Sequence, residues 1–518
     1  MSSSFLVAAG ILLSRISGLV RQRVFAYYFG LESDAADVWS AGFRIPNFLQ
    51  NLFGEGALSG SLIPVYASLL ARGDREDADR VAGAVGGLLA LLVAALVLLG
   101  LVATPLLIAV IAPGFHGEKR ALTIEVVRIL FPGTGLLVMS AWCLGVLNSH
   151  RKFFLSYSVA VLMNLAIIVT LVWFGGTTTL PKLVTILAWG AVAGGALQFA
   201  VQVPVVLRVA PGTARAALAS VRHAGDVHVR TVLRNFVPVL TSRGVVQVSA
   251  YIDTVIATLL PTGAPTALLN ATTLYTLPVS LFGMSVSAAE LPAMSGESAL
   301  NATDALGRRL DNGLRQIAFF VVPSAVAFLA LGDVVAAAVL QTGRFRPEDS
   351  VRVWAILAGS AIGLLATTLG RLYSSAYFAL RDTATPLRYA IVRVVLTTVL
   401  GYLCAIPLPH WLGIDPFWGT AGLTASAGVA GWVEMLMLRA TLSARIAGIA
   451  LPASYVVKLW AAAIVAAAVA WAAKLTIHMP HPILTALVVL GPYGAAYVAI
   501  TAAMRIPVVP TILTRLRR

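Results

Sequence analysis

Long apolar segments follow one another along almost the whole of this chain. Fourteen of them, each 21 to 35 residues long, are bounded by charged residues, proline or glycine. A helix needs about 20 mostly apolar residues to cross a bilayer. The sequence therefore predicts an all-α polytopic membrane protein with about 14 transmembrane helices. The predicted spans are residues 5–30, 36–70, 81–112, 120–148, 155–175, 184–209, 232–260, 265–296, 313–340, 351–379, 385–407, 416–441, 455–477 and 482–504.

Charged residues are few, and their signs are unbalanced. They make up 11% of the chain, with 37 Lys and Arg against 22 Asp and Glu for a net charge of +15. Soluble domains have about 25% charged residues. No long polar stretch offers a face for nucleic acid, so no nucleic-acid partner is expected. When basic residues within four positions of a span end are counted with the adjacent loop, 22 of the 37 lie in even-numbered loops and the C-terminal tail, 7 in odd-numbered loops and 8 deeper inside spans. By the positive-inside rule, both termini are predicted to be cytoplasmic.

Motifs typical of an enzyme, a metal site or a bound cofactor are missing from the sequence. It has neither a Gly-Lys-Ser phosphate loop nor a His-Glu-x-x-His pair. Cys143 and Cys404 lie in distant apolar runs and indicate neither a disulfide nor a metal site. The N-terminal apolar stretch runs into Arg15 instead of a cleavage site, which is typical of a first span. We therefore expect no catalytic residue, no metal and no cofactor.

The two halves of the chain share landmarks at a nearly constant offset. Ser14-Arg15 recurs as Ser242-Arg243, 228 residues later, and Pro64 matches Pro292 at the same offset. This pattern predicts a duplicated six-helix unit, with the copies related by an axis along the membrane normal. The predicted domains are an N-lobe at residues 1–210, a C-lobe at 211–445, and two appended helices with a basic tail at 446–518.

Arginines inside the predicted spans are the strongest functional signal. An Arg at the bilayer centre costs roughly 2.5–3.5 kcal/mol, so it normally faces a polar interior or a partner. On an ideal helix, Arg15 and Gln22 share one side of span one and Arg21 flanks them. Arg44 of span two and Arg243 of span seven are expected to join this polar stripe in a central cleft. Guanidinium groups bind phosphate bidentately, so the predicted ligand is anionic and amphipathic.

Carboxylates inside the spans are fewer than arginines. Among them are Glu55, Asp253, Glu290 and Glu434, of which the first three are candidates for gating or ion coupling. Asp253 follows Arg243 by ten residues. Because that spacing is about 80° round a helix, a direct pair is not expected. Two interpretations of Asp253 stay open: a cation or proton site, or a partner for another arginine.

Short motifs between residue 12 and about residue 390 follow one another in a recognisable order. They are LLSRISGLVR at 12–21, Asp37, FRIPNFLQNLFGEGALS at 43–59, IPV at 63–65, APGF at 112–115, GVLN at 145–148, QTGRF at 341–345 and ALRDTATP at 379–386. The first block is the most specific, and beyond about residue 390 only the number of spans agrees. Together these motifs resemble the signature of the MurJ/MviN lipid II flippases of the MOP exporter superfamily.

The resemblance implies a two-lobe flippase of the bacterial inner membrane. Such a protein moves lipid II, the undecaprenyl-diphosphate-linked peptidoglycan precursor, to the outer leaflet by alternating access. Its implied partners are this lipid-linked substrate, membrane lipids and the cell-wall synthesis machinery. The family's diphosphate-contacting arginines map onto Arg15 and Arg21, its second-helix basic residue onto Arg44, its first-loop aspartate onto Asp37, and its Glu-Gly pair onto Glu55-Gly56. Because no nucleotide motif is present, the membrane potential or an ion gradient is the expected energy source.

Three positions depart from the family pattern. Gln22 stands where the family usually has Asp, Gln50 where an arginine is common, and Thr272-Thr273 where span eight usually has an Asp-Arg pair. Our hypothesis is that Arg243, on the neighbouring span, replaces the missing cation, so that the diphosphate clamp has moved from span eight to span seven.

Other functions remain open on the sequence alone. They are a flippase for another lipid-linked oligosaccharide, a MATE-like drug or cation antiporter, a non-transporting membrane scaffold and a membrane glycosyltransferase. The antiporter would need more carboxylates than arginines in its spans, which is the reverse of this chain. The missing pair of span eight favours the scaffold. The first loop, with Glu32, Asp34 and Asp37, is too short to form the domain that a glycosyltransferase needs.

Overall fold

The computed structural model describes residues 3–287, 290, 294, 303–380, 382–446, 451–477 and 479–506. Across these residues the regular secondary structure is helical, which confirms the predicted all-α fold. In this part of the chain, eleven helices are long and apolar enough to cross a membrane. The polytopic architecture is thereby confirmed, whereas the count of fourteen spans stays a prediction.

The helices are numbered here in chain order. The earlier ones are α1 (Ser3–Phe29), α2 (Asp34–Gly42), α3 (Arg44–Leu49), α4 (Ser59–Arg72), α5 (Arg75–Ile111), α6 (Gly117–Ser149), α7 (Phe153–Ser158), α8 (Ala160–Phe174), α9 (Leu180–Val209), α10 (Thr213–Leu218) and α11 (Ser220–His223). The later ones are α12 (Val227–Thr258), α13 (Ala264–Pro278), α14 (Thr303–Leu340), α15 (Pro347–Ala379), α16 (Ala384–Ala405), α17 (Pro407–Leu412), α18 (Gly419–Ser443), α19 (Ala453–Thr476) and α20 (Pro482–Ala503). Two π-helical segments, Gln50–Leu58 and Val279–Met284, follow α3 and α13.

Predicted spans one, two and seven are not among the eleven apolar helices. All three regions are nevertheless helical: span one is α1, span seven is α12, and span two is divided into α2, α3, a π-helical segment and α4. Each of these regions carries one or more of the arginines that pointed to a polar interior. These three regions are thus helical although they carry arginines.

The chain folds into two compact units. Unit 1 contains residues 1–266 with 342–344, and unit 2 contains residues 267–341 with 345–518. Helix α12 therefore belongs to unit 1, together with α1–α11. The predicted domain boundaries at residues 210 and 445 rest on the internal repeat, and they stay a prediction.

Prolines inside helices are compensated by side chains of neighbouring helices. In α5, Pro105 has no N–H for the carbonyl of Leu101, and Arg128 of α6 donates its Nε–H to that oxygen at 3.3 Å. In α14, Pro323 frees the carbonyl of Phe319, which accepts from the Tyr497 hydroxyl of α20 at 2.7 Å. These bonds remove an unpaired carbonyl from the membrane interior. Arg128, one of the eight arginines predicted inside spans, thus has a structural role.

A row of small residues joins α15 and α18 in unit 2. A Cβ atom on Gly359 would lie 2.5 Å from the carbonyl oxygen of Ala421, and one on Gly363 would lie 2.3 Å from the Cα of Gly428. One turn further on, Gly431 faces the side chain of Thr367. The residue numbers rise together on both helices, so α15 and α18 run parallel. This backbone-to-backbone packing is the type that small residues allow between membrane helices.

The loop between α15 and α16 is fixed by Asp382, the acidic residue of the ALRDTATP motif. Its carboxylate accepts from the Thr385 backbone N–H at 3.0 Å, the Thr385 hydroxyl at 2.8 Å and the Arg445 guanidinium at 2.7 Å. The bonds from Thr385 and then from Arg445 lower the pKa of Asp382 to about 2. The loop after α15 is thereby tied to the end of α18.

Alanine at Gly363 is expected to destabilise unit 2, because its methyl group would overlap the backbone of Gly428. Overpacking of this kind typically costs about 1–3 kcal/mol. The measurement is the thermal unfolding midpoint of the purified protein in detergent. Gly491→Ala is the matched control, since a Cβ on Gly491 of α20 meets nothing within 4 Å. Equal midpoints for the two variants would contradict the close packing of α15 and α18.

Replacing Asp382 with Asn should reduce stability in a pH-dependent way. The carboxylate has a lowered pKa in the folded chain, so its contribution is complete above its ordinary pKa, about 4. The contribution is lost as the pH falls toward 2. The gap in unfolding midpoint between wild type and Asp382→Asn should be constant from pH 7 to 5 and shrink below pH 4. Asp304→Asn, at an exposed carboxylate, is the comparison.

Candidate functional site

The polar stripe predicted on α1 is present, but its exposure changes along the helix. Arg15 is exposed, Gly18 is half-buried and Gln22 is buried, with 6% of its surface accessible. No described residue forms a hydrogen bond or an ion pair with the Arg15 guanidinium. The N-terminal half of the stripe is therefore open to a ligand, while its C-terminal half is enclosed by protein. The predicted role of Gln22 in substrate binding stays a prediction.

Arg21, the second cation of the stripe, is held by a neutral side chain. Its Nη1 donates to Oδ1 of Asn164 in α8 at 3.1 Å. The Asn164 amide in turn donates to the Ser17 hydroxyl of α1 at 2.8 Å. The guanidinium also lies over the ring of Phe43, 5.8 Å from its centroid. Because no carboxylate takes part, Arg21 is oriented without losing its positive charge.

Asn164 is a site residue that the sequence interpretation missed. It lies in an apolar helix and is 8% exposed. It bonds to three residues of α1 that follow one another by about one helical turn, namely Ser14, Ser17 and Arg21. A strongly polar amide in a membrane helix is itself a signal, since such a group normally bonds to a neighbouring helix. The sequence alone does not show which helix that is.

Arg44 is bound to α12. Its Nη1 donates to the Thr254 hydroxyl, and its backbone carbonyl accepts from the Tyr251 hydroxyl. Asp253 of the same helix is close enough to act on Arg44 electrostatically. Of the two interpretations of Asp253, the structure thus favours a partner for another arginine. The predicted proximity of Arg44 to span seven is also present.

Asp37 is fully buried and accepts four hydrogen bonds. Its donors are Nζ of Lys119 at 2.8 Å, the backbone N–H groups of Gly263 and Thr266 at 2.9 and 3.2 Å, and the Thr266 hydroxyl at 2.7 Å. The carboxylate thus connects α2, the start of α6 and the turn that leads into α13. In this conformation protein donors surround Asp37, and its predicted contact with substrate stays a prediction.

The other predicted residues are distributed as follows. Glu290 forms an ion pair with Arg309, with 3.1 Å between Oε2 and Nη1. The side chains of Glu55 and Arg243 lie outside the described part of the structure. The transfer of the clamp from span eight to span seven therefore stays a hypothesis.

The described cations of this site, Arg15 and Arg21, both lie on α1, and α8 supplies the neutral amide that orients Arg21. Arg15 and Arg21 are six residues apart on α1, a rise of about 9 Å. Both groups keep a fixed positive charge, and a guanidinium binds an oxyanion through two parallel N–H bonds. An all-helical polytopic fold with arginines inside its spans is typical of a membrane transporter.

Comparison with known proteins identifies the kind of transporter. The family model for the lipid II flippase MurJ matches residues 25–490. A "Lipid II flippase MurJ" of Burkholderia cenocepacia is 31% identical over 82% of this chain and 80% of its own length. A "Probable lipid II flippase MurJ" of Vibrio cholerae is 28% identical over 85% and 82%, respectively. The chain belongs to the MurJ lipid II flippase family, which confirms the resemblance of its motifs.

Solved structures agree at the level of the fold. A lipid II flippase MurJ in an inward closed conformation matches with a TM-score of 0.77 and 22% identity, covering 96% of this chain and 98% of that one. An inward-facing MATE-family transporter of the MOP superfamily matches with a TM-score of 0.68 and 17% identity, covering 86% and 99%. The MOP-type helical fold is therefore shared with multidrug transporters as well.

Alanine at Asn164 should destabilise unit 1, because Arg21 and Ser17 both lose their partner on α8. A loss of about 1–2 kcal/mol is expected for these bonds in a membrane interior. The thermal unfolding midpoint in detergent measures it. Leu165→Ala, at the adjacent and 47% exposed position, is the control. A midpoint as high as that of the control would show that the amide does not hold α8 on α1.

Proposed function

We propose that this protein is a lipid II flippase, which moves an undecaprenyl-diphosphate-linked saccharide from the cytoplasmic to the outer leaflet. The observation that carries the proposal is the pair of cations on α1: Arg15 is exposed and unpaired by the described residues, and Arg21 is oriented by a neutral amide. Membership of the MurJ family supports the choice of substrate.

The chemistry of the substrate accounts for this arrangement. A saccharide cannot cross hydrocarbon unaided, whereas a prenyl chain can stay in the lipid. The diphosphate between them is the group that needs a polar path, and guanidinium forks match its oxygens. Unpaired arginines are costly in a membrane, and a bound diphosphate would remove that cost.

Alternating access requires that the outer end of the path is closed while the inner end is open. The exposed Arg15 and buried Gln22 support a stripe that is accessible only from its N-terminal end. The Asp37 hydrogen bonds, at the opposite end of α1, support a closed outer side. In this proposal the outward step breaks the bonds from Lys119, Gly263 and Thr266 to Asp37.

The membrane potential is the proposed energy source. With the termini in the cytoplasm, an inside-negative potential favours the outward movement of an anion. The gain is about 2.3 kcal/mol per charge for each 100 mV across the whole membrane. The bacterial inner membrane is the proposed location, and the cell-wall synthesis machinery supplies and consumes the substrate.

An antiporter that carries cations is less well supported. It would need carboxylates that are free to bind a cation within the spans. Glu290 and Glu434 are each held in an ion pair with an arginine, at 3.1 Å in both cases. Binding a cation at Glu290 or Glu434 would leave its arginine partner without a counter-charge.

Complementation of a strain depleted of its lipid II flippase tests the function. Wild-type protein should restore growth and the accessibility of lipid II in the outer leaflet. Arg15→Ala and Arg21→Ala should abolish both, as should Arg243→Ala if the clamp has moved to span seven. Arg222→Ala, at an exposed position of the short helix α11, is the charge-matched control. Normal rescue by Arg15→Ala and Arg21→Ala at equal expression would contradict the proposal.

Asn164→Asp separates orientation from charge at Arg21. The new carboxylate still accepts from the guanidinium, and the Ser17 hydroxyl can donate to it in place of the lost amide donor, so the fold should stay close to wild type in stability. It would, however, neutralise the cation that binds the diphosphate, and flipping should fall at least tenfold, as expected for one charge-assisted contact. Full activity together with an unchanged unfolding midpoint would exclude a role for the Arg21 charge.

A further inference from the structure

A second group of charged side chains lies inside unit 2 and takes no part in the site described above. Its members are Arg371 of α15, Arg393 of α16 and Glu434 of α18. Arg371 is eight residues from the end of α15, Arg393 nine from the start of α16, and Glu434 nine from the end of α18. These helix ends meet at the loop that Asp382 and Arg445 fix. All three residues therefore lie at one depth, about 12–14 Å from that side.

This depth is within the membrane. Helix α16 has 22 residues, which is just enough to cross a bilayer, and Arg393 is near its middle. The row of small residues brings α15 and α18 together one turn earlier, where Thr367 faces Gly431. The next turn of each helix carries Arg371 and Glu434. The close packing of the backbones thus places these two charged residues side by side.

The charges of this group do not cancel. Arg393 and Glu434 form an ion pair, with 3.1 Å between Nη1 and Oε2. Arg371 is exposed, and no carboxylate in the described part of the chain lies within ion-pair distance of it. The net charge of the group is therefore +1, carried by a guanidinium that lipid would penalise. Tyr275 of α13, bonded to Thr367, lies within electrostatic range of Arg371 and Arg393 and adds a hydroxyl.

We infer that Arg371, supported by Arg393 and Tyr275, forms an anion-binding site in unit 2 for a phosphate-class group, either a diphosphate or a phospholipid head group. An uncompensated arginine near the middle of a membrane needs water or an anion. Its planar fork fits a phosphate oxygen pair. The site goes beyond the proposed function, because it is built from residues of unit 2 and does not include Arg15 or Arg21.

The test measures binding to the purified full chain in phosphatidylcholine nanodiscs, with geranyl diphosphate as the probe in isothermal titration. An Arg15→Gln/Arg21→Gln background removes the cations of unit 1. In this background binding should persist, and adding Arg371→Gln should weaken it about tenfold or more. The matched control instead adds Arg388→Gln, which also removes one positive charge but at an exposed position of α16 outside the group. It should change the affinity less than threefold.

Two results would overturn the inference. One is the absence of any probe binding in the Arg15→Gln/Arg21→Gln background, and the other is an affinity that Arg371→Gln does not change. Unfolding midpoints show that each variant is folded.

Nanodiscs with added phosphatidylglycerol distinguish the two sources of phosphate. Competition that depends on Arg371 identifies a lipid head group, and its absence identifies the diphosphate as the ligand. Both results support an anion site. Because binding is measured without transport, a chain that binds here but does not flip lipid II would reject the proposed function alone.

Discussion

A positive charge inside a membrane has to be satisfied by the protein or by a ligand, and this constraint organises the whole molecule. The chain carries several arginines at depths where lipid would cost each roughly 2.5–3.5 kcal/mol. Most of them have a partner within the protein. Arg128 bonds to a carbonyl that Pro105 leaves free, Arg44 bonds to Thr254, and Arg393 pairs with Glu434. Arg128 and Arg393 thereby belong to the scaffold, whereas the role of Arg44 in substrate binding stays a prediction.

The remaining arginines differ in how they are held. Arg21 is oriented by Asn164, an amide that leaves its charge intact, and Arg15 and Arg371 are exposed without a partner among the described residues. A purely structural arginine is satisfied by a carboxylate or a carbonyl beside it, as Arg393 is by Glu434. A neutral support for a buried cation is what an anion-binding site needs, because an acidic neighbour would compete with the ligand. The type of partner thus separates structural from functional arginines.

Much of the fold, but less of the site, was predictable from the sequence. Hydrophobic length predicted the helices, including those of spans one, two and seven, which carry arginines. The partners were not predictable, because Asn164 is 143 residues from Arg21 and Thr254 is 210 residues from Arg44. Such pairs depend on which helices pack together, and helical periodicity reports only which side of one helix is polar. Gln22 shows the same limit: it shares a side with Arg15 but lies seven residues further along, where the helix is enclosed.

In the proposed transport cycle, the hydrogen bonds of Asp37 close the outer side with polar contacts. A closed apolar contact is stabilised in proportion to the apolar area that it buries. All of this stabilisation is lost when the contact opens into water. Hydrogen bonds behave differently, since water replaces the lost partners of Lys119, Thr266 and the Asp37 carboxylate as they separate. Four hydrogen bonds to one carboxylate fix a single closed geometry. Replacing them with hydrogen bonds to water nevertheless has only a modest net free-energy cost. A membrane potential of ordinary size acting on an anionic substrate is then comparable with the energy that separates the two states. Directional polar contacts therefore allow the outer side to be well defined when closed without being too stable to open.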